Sequence, residues 1–217
     1  LLTFDLRTWL SAVDLNYAFA LLNPSMTLLH NISRTLQRRR NATWHSLGYD
    51  TKVRAETPAD YSAIDRLTQN TFKNNAEVKL IHTLRQHAED SIALVAEQQG
   101  EIVGYVMFSV VLLPQDNSTR LMALAPMAVS NVLQQQGIGS ALVRAGLELC
   151  RQQGIAAVVV LGHPSYYPRF GFVPASTFNI YSPWQVPDNT FMLLPLQPQA
   201  LHKKNGQVVY HPAFSAL

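Results

Sequence analysis

One stretch, Leu121 to Leu161, decides most of what this chain can fold into. Leu121–Val129 reads as a strand, a polar loop carrying Gly137 and Gly139 follows, and the spacing predicts a helix over Gly139–Gln153. Gly154 supplies the residue that commonly closes such a helix. Ile155–Leu161 is apolar without a break, as expected of a strand buried on both faces. Where a strand runs through a glycine loop into a helix, several N–H groups at the helix start lack partners and carry a partial positive charge. Glycines there let an anion approach the main chain closely. The pattern reads as a main-chain cradle for a diphosphate, with a plain glycine turn before a helix as the alternative.

The flanking segments fit around this unit. Lys52–Glu56 alternates like a short strand, and Thr57-Pro58-Ala59-Asp60 is a helix start with an N-cap, a first-turn proline and a first-turn acid. Tyr61, Ile64, Leu67 and Thr71/Phe72 give that helix one apolar face, and Ala76–Ala88 forms a second helix with Val78, Ile81, Leu84 and Ala88 inward. Ile92–Glu97 and Ile102–Leu113 flank Gln99-Gly100 as a hairpin. Ser165–Phe170 reads as a short proline-bounded helical turn, and Phe191–Leu196 and Gln207–Tyr210 as strands. The order β-α-α-β-β-β-α-β-α-β predicts an α/β (α+β) fold with a mixed sheet covered by helices and no internal repeat.

Composition narrows the function classes. The 217 residues suit one domain plus an appendage, and 47% apolar residues suffice for a real core. Residues 1–50 hold five Arg against three Asp, and the remainder 12 basic against 11 acidic groups. So neutral a main body argues against a phosphate-tracking surface, and no nucleic-acid partner is expected. The single cysteine, Cys150, excludes an internal disulfide or a cysteine-built metal site, and no metal is expected. No run of about 18 apolar residues is present, so no membrane span is expected. Ala18-Phe19-Ala20 lacks the basic region a signal peptide would carry, and the protein is expected in the cytoplasm. Residues 1–50 are expected to form a helical or poorly ordered extension before a domain at 51–217. Its Leu6–Leu21 and Leu28–Leu36 patterns suit a partner-binding helix, a surface anchor or a solvated linker.

Two nucleotide-binding patterns fail on the residues. No Lys follows either glycine as a P-loop requires, and a dinucleotide fingerprint would need Gly or Ala where Leu142 stands. The segment Gln134-x-x-Gly137-x-Gly139 after a strand instead resembles motif A of the GNAT acetyltransferase superfamily. Downstream, Tyr167-Pro168-Arg169-Phe170-Gly171-Phe172 resembles that superfamily's Tyr-x-x-x-Gly-Phe element. With Gly162-His163-Pro164 before it, the segment looks more narrowly like the bacterial YhbS-type N-acetyltransferases. The resemblance spans residues 51–212. It implies a GNAT fold, with a mixed, mostly antiparallel sheet and helices on both faces. It also implies acetyl transfer from acetyl-CoA to a primary amine by direct attack.

The resemblance carries over position by position. Ala128, Val129 and Ser130 match the strand positions that pair with pantetheine, and Gln134, Gln136, Gly137, Ile138, Gly139, Ser140 and Ala141 match the diphosphate-binding loop. Tyr167 matches the general acid that protonates the leaving thiolate, with packing beneath the loop as the alternative role for it and for Tyr166. His163 is a candidate base, or a residue that only caps its turn; Glu77 and His82 are weaker candidates for the acceptor side, and a water relay is a further choice. Cys150 is expected to be a small buried hydrophobe rather than a nucleophile. The expected partners are acetyl-CoA and an amine, either a small molecule or a protein amine, and a homodimer fits the reading. A non-catalytic acetyl-CoA sensor or docking module, and a transferase of longer acyl chains, are the competing functions.

Overall fold

The computed structural model describes residues 44–45, 51–87, 90–114 and 119–216. The expected helices between Leu6 and Leu36 and the Ala18–Ala20 segment lie outside the described residues. Three helices are long: α1 (Tyr61–Phe72), α2 (Ala76–His87) and α3 (Ile138–Gln152). The main strands are β1 (Trp44–His45), β2 (Thr51–Ala55), β3 (Ile92–Gln98), β4 (Glu101–Val111), β5 (Leu121–Val129), β6 (Ala157–Leu161), β7 (Val173–Pro174) and β9 (Phe191–Pro195). They form one sheet in the order β1-β2-β3-β4-β5-β6-β9-β7, in which only β5 and β6 are parallel neighbours. β8 (Ile180–Tyr181) and β10 (Gly206–Gln207) pair in parallel as a separate ribbon. The GNAT fold read from the sequence is the fold observed.

Local chemistry explains the element starts and stops. The Asp60 carboxylate accepts bonds from the Thr57 N–H (2.7 Å) and hydroxyl (2.8 Å), closing a capping box before α1. It also receives both arms of Arg54 at 2.7 and 2.8 Å, and that guanidinium holds its pKa down to about 2. The β3–β4 hairpin turns on Gln99 and Gly100 with φ of 50° and 85°, the paired positive values that match strand twist. Gly154 takes φ 71° after α3. The Ile155 N–H then donates to the Cys150 carbonyl and the Ala156 N–H to that of Arg120, so β6 starts at Ala157 rather than at Ile155.

The two faces of the sheet carry separate cores. Ile64, Leu67, Leu80, Ile81 and Leu84 of α1 and α2 cover Tyr105, Met107, Leu121 and Ala123. Leu142, Val143, Leu147 and Cys150 of α3 cover Phe108, Met122, Leu124 and Val158 on the other side. α3 lies low on β4: a Cβ on Gly146 would overlap the Phe108 ring, and one on Gly104 would come within 2.9 Å of Ile138 and Leu142. No helix among the described residues is long and apolar enough to cross a membrane.

Three details differ from the sequence reading. Trp44–His45 lies within the expected extension yet pairs antiparallel with Lys52 and Val53. The Gln207–Tyr210 strand reduces to β10 plus a single bridge between Val209 and Leu112, because Pro212 opens a tight helical turn directly after it. β1, β7 and β8 are two residues each, too short to show a period.

Candidate active site

The site begins where the sheet comes apart. β5 pairs with β6 only over Leu121–Ala123 against Ala157–Val159, yet stays paired with β4 out to Val129. Past Ala123 the β6-facing edge of β5 has no strand partner among the described residues. Ala125 and Pro126 together oppose Met107, so β5 carries a bulge just where the edge opens. Proline has no N–H to give a ladder, and a bulge is one of the few strand positions that accepts it.

Which main-chain groups face the opening follows from the ladder. The Ser130 N–H donates to the Val103 carbonyl at 2.9 Å, toward β4. Hydrogen-bonding direction alternates along a strand, so Ala128 also bonds toward β4 while the N–H and C=O of Val129 point into the wedge. The Val129 carbonyl accepts the Gln134 side-chain amide at 3.2 Å. Of the three strand positions singled out, Val129 therefore offers its main chain to the opening. The Ala128 methyl is buried in the α1/α2 core.

The glycine loop is held by its own side chains. The Gln134 amide also donates to Asn131 Oδ1 at 3.1 Å, the Gln136 amide to the Val132 carbonyl at 3.4 Å, and the Asn131 amide to the Asn70 carbonyl of α1 at 3.3 Å. These bonds shape the loop and tie it to α1, and the Leu133 N–H is spent within it on the Ser130 carbonyl at 2.8 Å. Gly137 adopts φ 90° as the cap of α3, a conformation costly for residues with a Cβ. Helix geometry leaves the N–H groups of Ile138, Gly139 and Ser140 without intrahelical acceptors. Ala141 is the first residue to spend its N–H in the helix, on the Gly137 carbonyl at 2.9 Å, so it falls outside the open set.

The opposite wall is the turn Tyr167–Phe170. The His163 carbonyl accepts the N–H of Tyr166 at 3.0 Å and of Tyr167 at 3.5 Å, whereas the His163 side chain is exposed. Gly162 lies so close beneath Tyr167 that a Cβ would overlap its ring. Tyr167 is 7% exposed and sits edge-on to Tyr166 and Phe172, with centroids 5.1 and 5.7 Å away. Burial, with the neighbouring Tyr166 phenol adding to it, pushes the Tyr167 pKa above its ordinary value and keeps it a proton donor.

The remaining sequence candidates fall elsewhere. Glu77 is buried on α2 at 4% exposure with Oε2 unpaired, and burial raises its pKa. His82 is exposed and bonds both oxygens of Asp65 at 2.9 Å. Cys150 is fully buried against Met122, and burial pushes its thiol up to about 12, which suppresses the thiolate a nucleophile needs. Tyr166 brings its hydroxyl within 3.4 Å of Ser140 Oγ at the start of α3. Consecutive residues of a tight turn point in different directions. With Tyr167 packed on Gly162, an α3-facing Tyr166 was the available signal.

Chemically, this wedge presents an open strand edge, three helix-start N–H groups and a buried phenol. That suits an extended amide-bearing ligand with an anionic group at one end. The model of the acetyltransferase (GNAT) family matches residues 58–172. The uncharacterized N-acetyltransferase YhbS of Escherichia coli strain K12 is 37% identical over 164 residues, covering 75% of this chain and 98% of that protein. The crystal structure of E. coli YhbS in complex with CoA aligns with a TM-score of 0.72 at 34% identity, covering 79% of this chain and 95% of that one. A GNAT acetyltransferase from Brucella melitensis in complex with acetyl-CoA aligns at 0.62 and 31% identity, covering 76% and 97%.

Proposed function

The chain belongs to the acetyltransferase (GNAT) family, and from that premise we propose that it moves an acetyl group from acetyl-CoA to a primary amine by direct attack. One observation carries the reading. The unpartnered edge of β5 and the open N–H groups of Ile138–Ser140 border a single wedge, and the turn that carries Tyr166 and Tyr167 meets it through the Tyr166 hydroxyl at Ser140. The CoA and acetyl-CoA complexes of the two related structures support the choice of coenzyme.

The proposed roles follow from the geometry. The Val129 main chain pairs with the pantetheine arm as an added strand, and its N–H polarises the thioester carbonyl. Gly137 and Gly139 keep side chains away from the diphosphate, which takes the N–H groups at the start of α3. As the amine nitrogen bonds to the acetyl carbon and the C–S bond breaks, Tyr167 gives its proton to the departing sulfur. The ammonium loses one proton to water before the attack, with the exposed imidazole of His163 as the proposed acceptor; the second leaves the new amide nitrogen and restores the Tyr167 phenol through water. The Gln134 and Gln136 side chains hold the loop in shape around the diphosphate.

The test is a thermal-shift titration with acetyl-CoA, followed by CoA-release assays with a panel of primary amines. At about 100 times Kd the coenzyme should stabilise the fold by roughly 2.7 kcal/mol. Absence of any shift would remove the coenzyme reading. A shift without CoA release from any amine would leave a binding protein and overturn the transferase reading.

A further inference from the structure

We propose that Tyr166 is a coenzyme-positioning residue, whose hydroxyl takes a phosphate oxygen of acetyl-CoA at the start of α3 and so fixes the neighbouring Tyr167 turn over the thioester. The inference rests on the coenzyme reading above.

The position of the hydroxyl is the first argument. A Cβ built on Gly139 would lie 3.0 Å from the Tyr166 oxygen, 3.6 Å from Val129 Cγ2 and 3.9 Å from Met127 Cε. Tyr166 Oη therefore stands where the first turn of α3 and the open edge of β5 come closest. Among the described residues its one hydrogen-bond partner is Ser140 Oγ at 3.4 Å, the far limit of a hydrogen bond. The phenol thus keeps nearly all its donor capacity for a better acceptor.

The charge around it selects that acceptor. The Arg169 guanidinium lies 4.7 Å from the Tyr166 ring centroid, and the Arg144 guanidinium lies 5.6 Å from that of Phe170, whose ring in turn meets Tyr166 at 5.4 Å. One cation over its ring, a serine hydroxyl and the helix-start N–H groups lie about this phenol, with a second cation one ring further on over Phe170, an environment that favours an anionic oxygen over a neutral amide. Tyr166 also packs edge-on to Tyr167 at 5.1 Å. A phosphate held by Tyr166 consequently immobilises the ring beside the proposed acid.

Tyr166→Phe isolates the claim, because it keeps the ring and its stacking and removes only the oxygen. The full chain and this variant would be titrated with CoA by calorimetry. S-acetylpantetheine, which has no phosphate, would be titrated at millimolar concentration by displacement of CoA. Loss of a hydrogen bond to a charged group should weaken CoA roughly tenfold to hundredfold, with S-acetylpantetheine unchanged within twofold. Equal CoA affinity in the two proteins overturns the proposal, and so does an equal loss for both ligands, which would mean a general effect on the turn. Failure of the unsubstituted protein to bind CoA would instead sink the coenzyme reading itself.

Discussion

Gly139→Ala separates the fold from the site in one substitution. The added methyl would meet Val129 and Met127 at ordinary contact distances and Tyr166 Oη at 3.0 Å, a flexible tip that can yield by a few tenths of an ångström. Alanine also favours a helix by up to about 1 kcal/mol over glycine, so the unliganded melting temperature should stay level or rise slightly. The methyl nevertheless fills space beside Val129 and Tyr166 at the start of α3, on the path proposed for the diphosphate. Losing one charge-assisted hydrogen bond costs about 1.5–3 kcal/mol, roughly 10- to 150-fold in Kd. At acetyl-CoA about 100 times the original Kd, the unsubstituted protein gains roughly 2.7 kcal/mol; with Kd weakened about 30-fold, the same concentration gives only about 0.9 kcal/mol. For a domain of this size those gains correspond to shifts of roughly 5–11 °C and 2–4 °C. Differential scanning fluorimetry reads both. Equal shifts in the two proteins would refute the assignment of Gly139 to the coenzyme's path.

Other outcomes follow from the same geometry. Tyr167→Phe should lower turnover at least tenfold, about 1.4 kcal/mol of barrier, with CoA affinity by calorimetry unchanged; undiminished turnover would remove Tyr167 as the acid. Tyr105, Tyr167, Tyr210 and Cys150 all have pKa values raised by burial. The folded chain holds their protons after the unfolded chain has released them, so their contribution is complete below about pH 8; it is lost as pH rises, first for Cys150 and then for the tyrosines, by up to about 1.4 kcal/mol per unit for each group. Urea midpoints should be level from about pH 6 to 8, fall slightly near pH 9 and steeply above about pH 10, and a level profile to pH 11 would contradict this. Asp60 has the opposite sign: held down to about 2 by Arg54, it stabilises the fold above its ordinary value of 3.8, and that share disappears as pH falls toward 2. Asp60→Asn should cost about 2 kcal/mol at pH 7 and nothing at pH 2, as read by chemical denaturation.

Strong local signals gave the parts of the fold that local chemistry controls. The Thr57–Asp60 box, the Gln99-Gly100 turn and Gly154 each act within a few residues, and each appears where the sequence places it. Motif A located the glycine loop for the same reason. What the letters did not show depends on partners far along the chain. Nothing in Gln134 says that its amide is spent on Val129 and Asn131, or in Ala141 that its N–H closes the helix. Nor do the letters show that the Tyr166 hydroxyl reaches Ser140, because its direction depends on the packing of Tyr167 against Gly162.

The wedge itself is the least legible feature and the one on which the proposed chemistry most depends. A long unpaired strand edge invites pairing with another chain, and proteins usually cover or interrupt it. Here the parallel pairing of β5 with β6 stops at Ala123, and the Ala125-Pro126 bulge follows at once. β4 continues to hold the far side of β5, so the edge is fixed in place without being closed. α3 reaches the head of this edge because Gly104 and Gly146 let it settle onto β4 and Phe108. Bulk at either glycine would lift the helix start away from Val129 even though neither residue borders the wedge. The opening therefore suits a ligand able to act as the missing strand along β5 and as the missing acceptor at α3. The spacing between those two surfaces is set by the core beneath them.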